Sequence, residues 1–480
     1  MRASMRRGLA VLLAALVAST ANAQPYPTPP TPAAPRPLAI AAPTEARLAN
    51  GLRVVVARRQ GLPLVSAALV VLSGSEIDPP TLPGLASMTT ALLTQGTRRR
   101  SAPQLAAAAE ALGGSLDSGA GWNQASVSIT VTTPRLDAAL ALVAEVATEP
   151  VFAPAELDRV RKQMLDSLKV AYASPGPLAA LVAQRLSYGD GPYGHPAGGT
   201  PQSLPRIQRS DLVGLHRQAF RPDNAALVLA GDIGLSDGVA LARRHFGAWR
   251  NPAGAAPAAS VARADATGAP AAVVDMARSG QAAVVIALPL PPRQGADPAI
   301  GAVLNAVLGG GYSSRLGQEI RIRRGLSYGA SSGIEPRREA ALLRLTVQTK
   351  NESAAEVVAL AQAELDRLAT SPVDAAELAA RKATLIGAFS RSVETSAGLA
   401  SAIVGLIVSN RAPSGLTTRI DALLAVSADD VQRYAAAHLG SAGRRIVVAG
   451  EAASFGAALK ESQPRLVTLP ASALDLDRMP

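Results

Sequence analysis

The residues able to do chemistry in this chain are few. Its 480 residues include no cysteine and four histidines, His195, His216, His245 and His438. Imidazole can ligate a metal or act as a general base, and a thiolate can attack carbonyls or bind soft metals. Without cysteine, thiol nucleophiles, Cys-ligated clusters, Cys-based zinc sites and disulfide frameworks are all excluded. His195 lies in a Gly/Pro-rich loop, Tyr193-Gly194-His195-Pro196, and the other three fall on separate helices or helix ends. None has a second histidine or an acid at metal-helix spacing, so each reads as a structural or surface residue. The string G-x-S-x-G is centred on Ser236, Ser327 and Ser331. A nucleophile elbow needs its serine on a tight strand-to-helix turn, with an acid and a histidine later in the chain. Ser327 and Ser331 follow a helix pattern and precede a strand pattern, the reverse order, and Ser236 reads as a helix N-cap. No G-x-x-x-x-G-K-[ST] string occurs, which excludes a P-loop.

The frame that must position such residues is large. The length suggests two to four domains with sizeable cores. With 48% hydrophobic and 17% charged residues, the chain is neither disordered nor a coiled coil. Aromatic residues make up 3%, too few for a base-stacking platform, so no nucleic-acid partner is expected and the formal charge of +11 reads as arginine-rich style. Arg2, Arg6 and Arg7, the apolar run Gly8 to Ala18 and the small-x-small Ala21-Asn22-Ala23 read as a signal peptide over residues 1–23, cleaved after Ala23. Its removal lowers the charge to +8 and places the protein in a periplasm. No later run is long and apolar enough for a membrane span, so none is expected after signal removal.

Eight prolines between Gln24 and Pro43 mark a Pro-rich leader, 24–45. An Ala/Gly/Pro-rich stretch marks a linker, 251–275, between halves at 46–250 and 276–455, leaving a tail at 456–480. The halves read as repeats: the helix, break and strand running from Ser210 to Asp232 recur from Asp430 to Glu451, with Gly231 matched by Gly450 at an offset of 219. In the first half, strands are expected at Arg53 to Ala57, Leu64 to Leu72, Ala125 to Thr132 and Ala226 to Ala230. Helices are expected at Leu85 to Leu93, Pro103 to Leu112, Leu136 to Ala147, Ala155 to Ala173, Pro177 to Leu186 and Ser210 to Phe220. This order predicts an α+β fold of two homologous tandem halves, each a mostly antiparallel sheet with helices packed on one face.

Several stretches then converge on one family. Asn50-Gly51-Leu52-Arg53-Val54, Gly74-Ser75-Glu76-Ile77-Asp78 and the helix Gly84 to Thr97 resemble the opening, the pre-helix motif and the zinc helix of insulinase/pitrilysin-type metallopeptidases. Active members carry H-x-x-E-H on that helix, two zinc ligands and a general base. Here Ser87, Thr90 and Ala91 occupy those positions, and the downstream glutamate ligand aligns with Ser167, or with Asp166 after a one-residue slip. In the second half, Asn305-Ala306-Val307-Leu308-Gly309-Gly310-Gly311-Tyr312-Ser313-Ser314-Arg315-Leu316 resembles the family's glycine-rich loop. Glu319 to Tyr328 resembles its "REKRGLAY" segment, with Arg321 and Tyr328 seven residues apart like the Arg/Tyr pair that reaches the zinc site.

The resemblance implies roles for these residues. Arg321 and Tyr328 would stabilise the oxyanion of peptide hydrolysis, and Gly309, Gly310 and Gly311 would let a peptide backbone approach closely. It implies a non-zinc-binding subunit of an exported heterodimeric peptidase, binding no metal itself and acting on peptide substrates with a zinc-bearing homologous partner subunit. Two alternatives stay open: a catalytically inert scaffold or peptide-binding homologue, and an independently active peptidase with an unrecognised site.

Overall fold

The computed structural model describes residues 40–258, 269–292 and 297–479. The expected signal peptide, the leader up to residue 39 and the linker core 259–268 lie outside the described residues. The first half runs β1 (Thr44–Arg47), β2 (Arg53–Arg58), β3 (Leu64–Val71), α1 (Leu85–Leu93), α2 (Ala102–Ala111), β4 (Asp117–Ala120) and β5 (Ala125–Thr132). It continues with α3 (Leu136–Thr148), α4 (Pro154–Tyr172), α5 (Pro175–Tyr188), α6 (Arg209–Ala219), β6 (Ala225–Gly231) and α7 (Leu235–Phe246). The second half opens with β7 (Ala271–Asp275), β8 (Ala282–Leu290), α8 (Asp297–Leu308), β9 (Ala330–Pro336) and β10 (Ala341–Thr349). After these come α9 (Ala354–Thr370), α10 (Ala375–Ser392), α11 (Ser396–Val408), α12 (Arg419–Ala425), α13 (Ala428–His438), β11 (Arg445–Gly450), α14 (Gly456–Ser462) and β12 (Leu466–Pro470).

Two six-stranded sheets result, ordered β1-β2-β6-β3-β5-β4 and β12-β7-β11-β8-β10-β9. Pairing is antiparallel except at β2–β6, β7–β11 and β7–β12, so both sheets are mostly antiparallel. Five strands of one sheet hold the places of five in the other, with β6 equivalent to β11. The repeat seen in the sequence is therefore a structural repeat: α6 and α13 have eleven residues each, and both begin at a capping box. Residues on β5 alternate as the pleat requires. Ala125, Val127, Ile129 and Val131 enter the first core, while Ser126, Ser128 and Thr130 face the other way.

The sequence boundaries shift at the edges. The last five residues of the expected linker form β7, and the expected tail supplies α14 and β12. Both strands are short, and they are held by pairing: β7 lies between β11 and β12 in the sheet. β1 begins inside the expected leader and pairs with β2.

Helices also cover the second face of each sheet, and these come from the opposite half. α5 packs on β8 and β11, where Leu178, Val182 and Leu186 meet Val274, Val285, Leu342 and Val447 in a third core. Each such side chain contributes about 1.5–3 kcal/mol by leaving water. Its equivalent, α11, packs on β3 and β6 of the first sheet. That second seam is mixed: Ser66, Ser126, Ser128, Thr130 and Ser401 share a cleft of about 500 Å³ beneath α11 with Ala68, Val70, Ala400 and Val404.

Candidate functional site

The helix in the zinc-helix position, α1, is entered from a buried carboxylate. Asp78 accepts hydrogen bonds from the amides of Gly84 and Ala86, both at 2.8 Å, and so satisfies donors at the start of α1. Burial pushes its carboxyl up to about 8, against the pull of those amides. Gly84 takes φ 91°, and a Cβ there would stand 2.7 Å from Gly199, so glycine is needed for α1 to start under the 196–199 loop.

The hydroxyls that stand at one ligand position and at the general-base position on α1 are used internally. Ser87 Oγ donates to the carbonyl of Ala197 at 2.6 Å. Thr90 is buried, and its hydroxyl lies 3.0 Å from both the Ala86 and Ser87 carbonyls. Ala91 offers a methyl group. On α4, Ser167 Oγ donates to the carbonyl of Gln163, and Asp166 pairs with Lys169 on the exposed surface. Among the described residues, no three of His, Asp or Glu stand together as a metal-holding group. The three α1 positions do not fit a zinc ion: two hydroxyls turned to backbone carbonyls and a methyl supply no anionic or imidazole ligand.

Each histidine has a local contact within the chain. His195 is held below its usual range by burial, with Nε2 2.9 Å from the Ser75 carbonyl. His216 is half-buried and likewise shifted downward by desolvation, stacked 4.7 Å from Phe220 with Nε2 2.9 Å from the Ala147 carbonyl. His245 pairs with Asp137, and His438 meets the Tyr434 ring edge-on. Gly234, not Ser236, caps α7, because Ser236 falls within the first turn. Ser327 Oγ is hydrogen-bonded to the carbonyls of Gly329 and Gln348. Ser331 lies on β9, so neither serine sits on a strand-to-helix turn.

The glycine loop and Arg321 come together. Gly309, Gly310, Gly311, Tyr312, Arg321, Ser331 and Ser332 line a cleft of about 480 Å³ between the end of α8 and the edge strand β9. Arg321 sits on a π-helical segment, Gly317–Arg323, a rare winding that recurs at functional sites. Its guanidinium carbon lies 4.6 Å over the Tyr312 ring. Tyr328 is not among the lining residues; it stands next to lining Gly329 and is 93% exposed. The three glycines differ in purpose. A Cβ on Gly309 would meet the Ser332 amide at 2.4 Å and one on Gly310 the Ala306 Cα at 2.8 Å, while one on Gly311 would meet nothing. Close packing within the chain therefore requires the first two, and Gly311 leaves the open space.

Sequence reasoning missed Arg337. Its side chain is fully buried, with rings of Trp122, Tyr188 and Tyr193 from the first half at 4.8, 5.0 and 5.5 Å. Among the described residues, none of its guanidinium nitrogens has a hydrogen-bond partner; Glu335 is 3.5 Å away. Next to it, Arg338 donates to the carbonyls of Leu72 and Asn123. The β9–β10 turn is thus plugged into the first half beside Glu76. No local motif announces this, because the cage is assembled from three separate segments.

Two repeated α+β halves, with α1 in the zinc-helix position of one and a glycine-loop cleft in the other, define a two-domain peptidase-like class. The insulinase (peptidase family M16) profile matches residues 53–189, and the peptidase M16 inactive domain profile matches residues 206–385. The chain belongs to the insulinase family, peptidase family M16. An uncharacterised zinc protease of Mycobacterium leprae is 28% identical over 351 residues, covering 73% of this chain and 78% of its own. A non-peptidase homolog from Helicobacter pylori is 25% identical over 268 residues, 56% of this chain and 61% of its own. The solved peptidase M16 inactive domain from Pseudomonas fluorescens matches with a TM-score of 0.78 at 27% identity, covering 85% of this chain and 98% of that one.

Proposed function

We propose that the chain is the non-zinc-binding subunit of an exported heterodimeric insulinase-type peptidase. It would lend Arg321, Tyr328 and the Gly309–Gly311 loop to peptide hydrolysis at a zinc-bearing homologous subunit, while binding no metal itself. One contrast carries the reading. The hydroxyls on α1 are turned to the chain's own carbonyls, whereas Arg321 lines an open cleft without a carboxylate partner among the described residues. Arg321 would donate N–H groups to the oxygen of the scissile carbonyl as negative charge develops there, an effect of several kcal/mol for a well-aimed donor. Tyr328, exposed next to the cleft, would add a phenolic donor once a partner covers it. Export into a periplasm rests on the signal-like segment 1–23.

The test is reconstitution with a zinc-bearing homologue from the same cell. Arg321→Ala should lower turnover by about 10²–10³ with the zinc content of the pair unchanged. Unchanged turnover would refute the reading. It would favour the second one, an inert scaffold, to which the non-peptidase relative and the internal use of Gly309 and Gly310 lend support.

A further inference from the structure

The cleft at Gly311 contains one arginine whose charge is not already neutralised. Around it, Arg315 pairs with Glu377 at 2.9 Å and Arg323 with Glu319 at 2.9 Å. Arg324 reaches both Glu319 and Glu356, and Arg381 is held by Ser313 and lies 3.8 Å from Glu377. Among the described residues, Arg321 forms no ion pair, and no aspartate or glutamate lines the cleft. Its orientation comes from the Tyr312 ring, 4.6 Å below the guanidinium carbon. A cation–π contact of this kind fixes the plane of the guanidinium without cancelling its charge or occupying its N–H donors. Gly317 packs against the backbone of Tyr312, where a Cβ would press to 2.4 Å on the carbonyl oxygen, and the side chain itself is exposed.

We infer that Tyr312 is a positioning residue for Arg321, and that the two form a subsite for a carboxylate of a bound peptide. An uncompensated planar fork with no acid beside it matches a carboxylate, which accepts two parallel N–H donors. That carboxylate is a free chain end, which is also the acyl product that hydrolysis at the scissile carbonyl would leave beside the same N–H donors, or an acidic side chain. The inference rests on reading the cleft as a peptide-binding surface, but not on any partner chain.

The experiment therefore uses the isolated full chain, with fluorescence anisotropy of three labelled hexapeptides. One ends in a free carboxylate, one is its C-terminal amide, and the third is the amide with an internal glutamate. The free acid or the glutamate peptide should bind about tenfold more tightly than the plain amide, and Arg321→Gln should abolish that ratio. Tyr312→Ala should lower the ratio about two- to fivefold without changing plain-amide binding, and Tyr312→Phe, which keeps the ring face, should restore it. Equal binding of all three peptides by the unaltered chain overturns the inference, as does a ratio indifferent to Tyr312→Ala. Either result leaves the proposed subunit role to be judged on turnover of the reconstituted pair.

Discussion

Replacing Trp122 should loosen the seam between the halves, and the cage geometry sets the size of the effect. Trp122→Leu removes the ring 4.8 Å from the Arg337 guanidinium, leaving a buried cation with the two tyrosine rings and no hydrogen bond among the described residues. A desolvated cation–π contact is worth about 2 kcal/mol. Incomplete filling of the indole's volume adds to this, for a total near 3 kcal/mol. Arg337→Met keeps an unbranched stem and removes the charge, so its cost should stay within about 1 kcal/mol. In the double variant the charge no longer misses the ring, and the coupling energy should be about 1–2 kcal/mol. Urea unfolding followed by far-UV circular dichroism, with the four proteins at one pH, completes the cycle. A coupling below about 0.3 kcal/mol, or an Arg337→Met cost equal to that of Trp122→Leu, would refute the cage as a cation–π device.

Gly309→Ala should cost about 1–3 kcal/mol by pressing on the Ser332 amide, while Gly311→Ala should stay within about 0.5 kcal/mol; thermal unfolding distinguishes them. Ser87→His with Ala91→His and Ser167→Glu should create a site for one zinc per chain, read by metal analysis after dialysis. If the triple variant stays metal-free while an Asp166→Glu version binds, the alignment is off by one residue. Burial holds His216 below the ordinary imidazole value of 6.5, so its share of stability is present above pH 6.5 and lost as pH falls below it. Denaturation midpoints between pH 7 and 5 should decline less in His216→Gln, by at most about 1.4 kcal/mol per pH unit.

The parts of this fold that were legible in the sequence are those with strong periodicity. α1, β5 and the start of α3 fall where apolar spacing places them, and the repeat offset links α6 with α13. Strands held by pairing rather than pattern escaped: Asp117–Ala120 has no apolar alternation and becomes β4 by pairing with β5. The same physics turns the ends of the expected linker and tail into β7 and β12. At the site, the glycine loop and Arg321 were legible as a string, but the distinct duties of the glycines depend on Ser332 and Ala306, and no spacing rule shows that. The Tyr312 contact lies nine residues from Arg321, across a loop and a π-helical turn, so helical periodicity gives no sign of it.

We propose that this member of the insulinase family holds no zinc on its own. The most direct measurement is to dialyse the purified full chain against excess zinc, remove free metal by gel filtration and determine the metal per chain by plasma emission. Ser87, Thr90 and Ala91 on α1 predict substoichiometric zinc, unchanged by Ser87→Ala or Thr90→Val. One zinc per chain, retained through filtration and lost in either variant, would contradict the account.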